Sequence, residues 1–224
     1  MSVLPASFHA GELSLELRDP QAFPLVRLCN QARAGGPGGE WESPAPQYRT
    51  LRVDPPADRQ DAFAVLYTAD TLPCVAAECR LLQVNQAKDI YSVDRGRLCE
   101  YLVTRYAFKR PGLFIRIDAD HAEPLGLHPR ARGTHMSLRD PYAPYQAVSL
   151  ALFERFGGVA HGLSWQSMHR NQLGRVYAIW HERKPDLGLE VVETGGRLDQ
   201  DSEWLAFERA NPGLPDVPRP GSDP

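Results

Sequence analysis

"LYTADTLPCVAAE", residues 66–78, reads as an apolar strand ending on Tyr67, a turn, and a helix carrying Glu78 beside its apolar face. The spacing predicts that helix from about Thr71 to Val84. Asp70 or Thr71 can accept from the unpaired N–H groups at its start. Pro73 falls in the first turn, where a missing donor costs little. On the helical wheel Leu72, Val75, Cys79 and Leu82 form one stripe, with Glu78 at its edge. Two readings of Glu78 stand: an edge carboxylate that reaches water, or one aimed with Tyr67 into a single cleft. Burial would raise its pKa unless a cation or hydrogen bond offset the lost hydration.

Outward from this stretch, "FAVLY" (63–67) and "GLFIRIDAD" (112–120) read as strands. "PYAPYQAVSLALFERFGG" (141–158) holds a helix closed by Gly157-Gly158. "VAHGLSW" (159–165) and "GRVYAIWHER" (174–183) read as two further strands, joined by "QSMHRNQL" (166–173). Strands and helices do not alternate regularly, so the expectation is a compact α+β single domain with a mixed or antiparallel sheet and flanking helices. "RAGGPGGEWESPAP" (33–46) is a Gly/Pro-rich loop. The division expected is an N-terminal extension and loop over 1–47, packed on a catalytic domain at 48–183, with a C-terminal extension at 184–224. That last segment holds one short helix, "SEWLAFERA" (202–210), and a proline-rich end from 211 expected to be disordered.

A net charge of −3 over 224 residues argues against a nucleic-acid-binding surface, so "YLVTRYAFKRPG" (101–112) is set aside as one. No stretch reaches the roughly 18 uninterrupted apolar residues of a membrane-spanning helix. The N-terminus lacks the basic and apolar regions of a signal peptide, which points to a cytoplasmic protein. Cys29, Cys74, Cys79 and Cys99 show no paired metal-ligand spacing and read as reduced thiols. No metal is expected: there is no HExxH, and "DADH" (118–121) is most simply a strand ending in a polar turn. "GGPGGE" (35–40) lacks the Lys-Ser/Thr of a phosphate loop.

Four short motifs in order, "RVDPP" (52–56), "LYTAD" (66–70), "AAE" (76–78) and "GLSWQS" (162–167), resemble the RES-domain family, named for its Arg, Glu and Ser. "YQAVSLALFERFGG" (145–158) is similar to the family's Gln-bearing helix. The resemblance spans about residues 48–183 and carries the family's site residues onto Arg52, Tyr67, Glu78 and Ser167. Departures exist. Leu51 replaces the usual glycine, leaving Arg49 as a competitor for anion binding. Trp165, Gln166 and His169 replace the usual tyrosine, proline and arginine around Ser167.

The resemblance implies an ADP-ribosyltransferase-like fold and a toxin that consumes NAD as substrate, cleaving the nicotinamide–ribose bond with water or phosphate as acceptor. The implied partner is a cognate Xre-type antitoxin or immunity protein, with a homodimer inside such a complex. An effector delivered into another cell's cytoplasm fits the same resemblance. Arg52 would grip the pyrophosphate, Tyr67 would face the nicotinamide, Glu78 would stabilise the cation-like sugar, and Ser167 would position nicotinamide or ribose. Two alternatives remain open: transfer of ADP-ribose to a macromolecule, and a degenerate scaffold that only binds a partner.

Overall fold

Along Val65–Ala69 (β3) and Arg175–Trp180 (β9), side chains of successive residues enter two different apolar clusters. Val65, Ala69, Val176, Ala178 and Trp180 join one; Leu66, Tyr177 and Ile179 join the other. This period of two is that of a strand buried on both faces. The structure, a computed structural model, describes residues 10–31, 41–85, 90–127, 142–167 and 173–217.

Eight strands form one sheet: β1 (Leu15–Arg18), β2 (Leu25–Asn30), β3, β6 (Tyr101–Ala107), β7 (Gly112–Arg116), β8 (Gly162–Gln166), β9 and β10 (Glu190–Arg197). Their order is β1-β7-β8-β9-β3-β2-β6-β10, antiparallel except for the parallel pair β7–β8. A small hairpin, β4 (Leu82–Asn85) with β5 (Ile90–Val93), stands apart. The larger core lies between one sheet face and three helices, α1 (Leu72–Glu78), α4 (Tyr142–Phe156) and α6 (Ser202–Ala210). Short helices α2 (Arg95–Leu98), α3 (Ala119–Ala122) and α5 (Lys184–Leu187) link the rest. This is the α+β domain with a mixed sheet that the sequence predicts.

Three differences matter. First, α1 stops at Glu78 instead of running to Val84. Arg80 adopts φ 58°, Arg80 N–H bonds to the Ala77 carbonyl and Leu81 N–H to the Ala76 carbonyl, each at 2.9 Å. That is a Schellman ending with arginine in the place glycine usually takes, so the sequence carries no stop signal there. Leu82 then belongs to a strand and leaves the predicted helical stripe. Second, both segments read as extensions supply strands to the same sheet. β2 lies centrally between β3 and β6, and β10 pairs with β6 across two irregularities in register.

Third, residues 211–217, expected to be disordered, dock on the hairpin. Val93 N–H donates to the Pro215 carbonyl at 2.9 Å, and Val217 N–H donates to the Val93 carbonyl at 3.0 Å. "GGPGGE", His169 and residues 218–224 lie outside the described residues. Among the described residues no helix is long and apolar enough to cross a membrane. The basic residues of 101–112 include Arg105, which meets Asp201, Glu193 and Glu203 at 2.8–3.2 Å. Asp118 of "DADH" pairs with Arg116 at 3.0 Å and Arg175 at 2.8 Å.

Candidate functional site

Glu78 is the last residue of α1, and two tethers fix where that helix points. The Thr71 hydroxyl caps it, accepting from Cys74 N–H at 3.2 Å, and donates in turn to the Leu173 carbonyl. Glu203, from α6, accepts from Leu72 N–H at 2.7 Å, placing a carboxylate at the positive end of a short helix. The connection bearing Ser167 is tied to the same point. Ser167 N–H donates to the Gly174 carbonyl at 3.0 Å, and Arg175 N–H donates to Asp70 Oδ1 at 2.8 Å.

Gly174 permits this closeness. Its φ is +141°, and a Cβ there would stand 2.1 Å from Asp70 Oδ1 and 2.9 Å from Thr71 Oγ1. The result is a direct contact between two of the predicted site residues: the fully buried Ser167 hydroxyl donates to Glu78 Oε1 at 3.1 Å. The Cys74 thiol lies beside them. Burial, then the charge of Glu78, pushes it well up against the hydrogen bond with Ser167, so it stays protonated.

Tyr67 sits in β3 on the face toward the larger core, where its strand partner is Ala178. It does not end the strand, which continues to Ala69. Its hydroxyl donates to Asp54 Oδ1 at 3.1 Å and accepts from Val53 N–H at 3.2 Å. Burial and then the charge of Asp54 push that hydroxyl well up, which holds it as a donor. The Asp54 carboxyl is itself raised by burial, opposed by the Leu51 amide, the Tyr67 hydroxyl and the charge of Arg49.

Arg52, 5% exposed, occupies the loop that Tyr67 and Asp54 hold. Its guanidinium lies 4.8 Å from the ring centroids of both Tyr142 and Tyr145 at the start of α4. The competitor Arg49 has a different task. Its guanidinium donates to the carbonyls of Pro44, Gln60 and Phe63 and to the Ser43 hydroxyl, at 2.8–3.4 Å. Arg49 therefore staples the loop shut.

The four predicted residues thus fall into two joined pairs, Glu78 with Ser167 and Tyr67 with the Arg52 loop, both against the same core. Sequence reading missed Asp54, Tyr142, Tyr145 and Ser149, and touched Gln146 only through the resemblance of its helix to the family's Gln-bearing one. Asp54 stood inside the quoted "RVDPP", and Tyr142, Tyr145 and Ser149 lie on one side of a helix at spacings of three and four. Among the described residues no group of three or more His, Cys, Asp or Glu side chains could hold a metal ion.

A family model, the RES domain, matches residues 24–207, which takes in β2 through most of α6. The M. tuberculosis MbcT–MbcA toxin–antitoxin complex contains a chain similar in structure, with a TM-score of 0.55 and 15% sequence identity. The similarity covers 83% of this chain and 87% of that one, and at such identity it concerns the fold. No curated protein sequence gives a match.

Proposed function

The chain belongs to the RES domain family, and from that premise we propose that it cleaves the nicotinamide–ribose bond of NAD and is silenced by a cognate antitoxin. The observation that carries the reading is the Ser167–Glu78 hydrogen bond, a half-buried carboxylate fixed by a fully enclosed hydroxyl. Cleavage of a glycosidic bond develops positive charge on the sugar. A carboxylate already oriented stabilises that charge without reorganising at the moment of reaction. Ser167 orients Glu78 through the shared proton, and Glu78 in turn steadies the ribose cation or activates the incoming nucleophile.

Arg52 suits the other end of the substrate. A guanidinium stacked on two tyrosine rings is held in plane, and its N–H groups can meet phosphate oxygens as a fork. The Tyr67 ring lies between the two halves in the chain's order of elements. With its hydroxyl committed to Asp54, what it offers a ligand is its ring face. The partner proposal rests on the family and on the likeness to a toxin solved with its antitoxin.

The test is incubation of the purified chain with NAD, followed by product analysis, beside Glu78→Gln. The expected products are nicotinamide with ADP-ribose or its phosphate adduct. Label from the adenylate part of NAD appearing in a macromolecule assigns the chain to ADP-ribosyl transfer instead. An unchanged NAD pool with a folded wild-type chain leaves only a binding scaffold.

A further inference from the structure

Both neighbours of Arg52 are held at both backbone polar groups by side chains, one from the loop itself and three from other elements. Leu51 N–H donates to Asp54 Oδ2 at 2.7 Å, and the Leu51 carbonyl accepts from Gln146 Nε2 at 2.9 Å. Val53 N–H donates to the Tyr67 hydroxyl at 3.2 Å, and the Val53 carbonyl accepts from the Ser149 hydroxyl at 2.8 Å. A loop this short needs no such set merely to turn, because the Asp54 N–H to Leu51 carbonyl contact at 3.2 Å already closes it. Ser149 is 1% exposed and Asp54 4%, so two of the four contacts are shielded from competing water.

Gln146 and Ser149 are one helical turn apart on α4, and Tyr142 and Tyr145, which flank the guanidinium, lie on that same side. One helix therefore fixes Arg52 at its backbone and at its charged end.

We propose that Gln146, Ser149 and Asp54 are positioning residues that hold Arg52 in register for the anionic part of its ligand. The inference rests on the proposed reading that Arg52 grips a pyrophosphate. Its chemistry is preorganisation: an arginine already ordered loses less freedom when the anion arrives. Because the pyrophosphate is bound alike in ground and transition states, loosening the clamp raises KM and leaves kcat in place.

The experiment uses the full chain carrying Gln146→Ala and Ser149→Ala, with Gln146→Ala alone as the variant sure to leave the buried core untouched. Losing two neutral hydrogen bonds is expected to raise the KM for NAD roughly tenfold with kcat within about twofold. ADP-ribose, titrated calorimetrically, weakens by the same factor. In parallel, ¹⁵N relaxation of the Arg52 Nε–Hε group, assigned by its disappearance in Arg52→Lys, reports order without any turnover. It is expected to pass from rigid to mobile in the double variant. An Arg52 group equally rigid in both proteins overturns the clamp, as does a fall in kcat with unchanged KM. If the wild type does not turn over NAD, the reading of the reaction fails, while the relaxation comparison still decides the clamp.

Discussion

The two halves of the site are held at different distances from the residue each presents. Arg52 is held by side chains: an aspartate, a tyrosine, a glutamine and a serine reach in from three places, each bearing part of the constraint. Glu78 is held from the far end of its helix, where side chains fix the Leu72, Cys74 and Arg175 N–H groups. Its helix is one end of a tether through Thr71, Asp70 and Gly174 to the strand pair carrying Ser167, and a single hydrogen bond then joins acid to hydroxyl. The first arrangement loses function in steps. The second turns on one direct hydrogen bond to the acid itself, so its failures are expected to be abrupt.

The largest effect belongs to the second half. Glu78→Gln keeps the volume and an acceptor for Ser167 but removes the charge facing the developing cation. NAD cleavage is expected to fall about a thousandfold, with an unchanged thermal unfolding midpoint in the same preparation. Wild-type turnover by that variant sinks the assignment of Glu78. Next comes Gly174→Ala, which introduces a methyl 2.1 Å from Asp70 Oδ1 at a φ of +141°. Denaturant titration is expected to show a loss of about 3 kcal/mol. A loss under 1 kcal/mol would mean that the tether between α1 and the Ser167 connection gives way easily, and the contrast between the halves would disappear.

Residue type and order made the elements of the Glu78 half legible in the sequence. "LYTADTLPCVAAE" contains the strand, the Thr71 cap and the helix, but the elements alone left Glu78 between an edge facing water and a cleft shared with Tyr67. Where the helix ends did not follow, because the stop is Arg80 in a left-handed conformation and no glycine marks it. The sheet was half visible. Apolar runs such as "FAVLY" showed themselves, whereas β10, "EVVETGGR", is an edge strand with mostly exposed side chains and two glycines, a pattern indistinguishable from a loop. β2 was passed over because it lies before the Gly/Pro-rich segment, which in sequence resembles a boundary, although β2 and β3 are neighbours in one sheet. The Arg52 clamp was illegible for a different reason: its contacts join residues 51–54 to 146 and 149, a separation that no local pattern encodes.

A smaller effect tests the first half. Arg52→Ala is expected to raise the KM for NAD about thirtyfold through loss of a charge-assisted contact, with kcat changed much less. Arg49→Ala is the counterpart. Its guanidinium is committed to Pro44, Gln60, Phe63 and Ser43, so the expected result is a lower unfolding midpoint and an unaltered KM. A selective KM change in Arg49→Ala, with none in Arg52→Ala, would exchange the two roles.

The smallest expected effect probes how far the support behind Glu78 extends. Asp201 caps α6, accepting from Glu203 N–H at 2.9 Å, and grips Arg105 with both oxygens at 2.8 and 3.0 Å. From that helix Glu203 caps α1, so the C-terminal segment stands behind Glu78. Burial alone would raise the Asp201 carboxyl, but the hydrogen bond and charge of Arg105, with the two amides of the cap, outweigh it and hold the carboxyl below its ordinary value. A group whose folded pKa is depressed contributes stability above the unfolded carboxylate value and loses it as the pH falls through the folded one. Asp201→Asn keeps a competent cap and removes the ion pair, so a loss of roughly 1 kcal/mol is expected at neutral pH. That difference should shrink steadily below about pH 4, the unfolded value of an aspartate, as wild type gains the proton that the variant never needed. If the difference instead persists undiminished in acid, the ion pair is not its source. If NAD turnover drops along with stability at neutral pH, the Glu203 contact with Leu72 bears on Glu78 as strongly as the tether through Gly174.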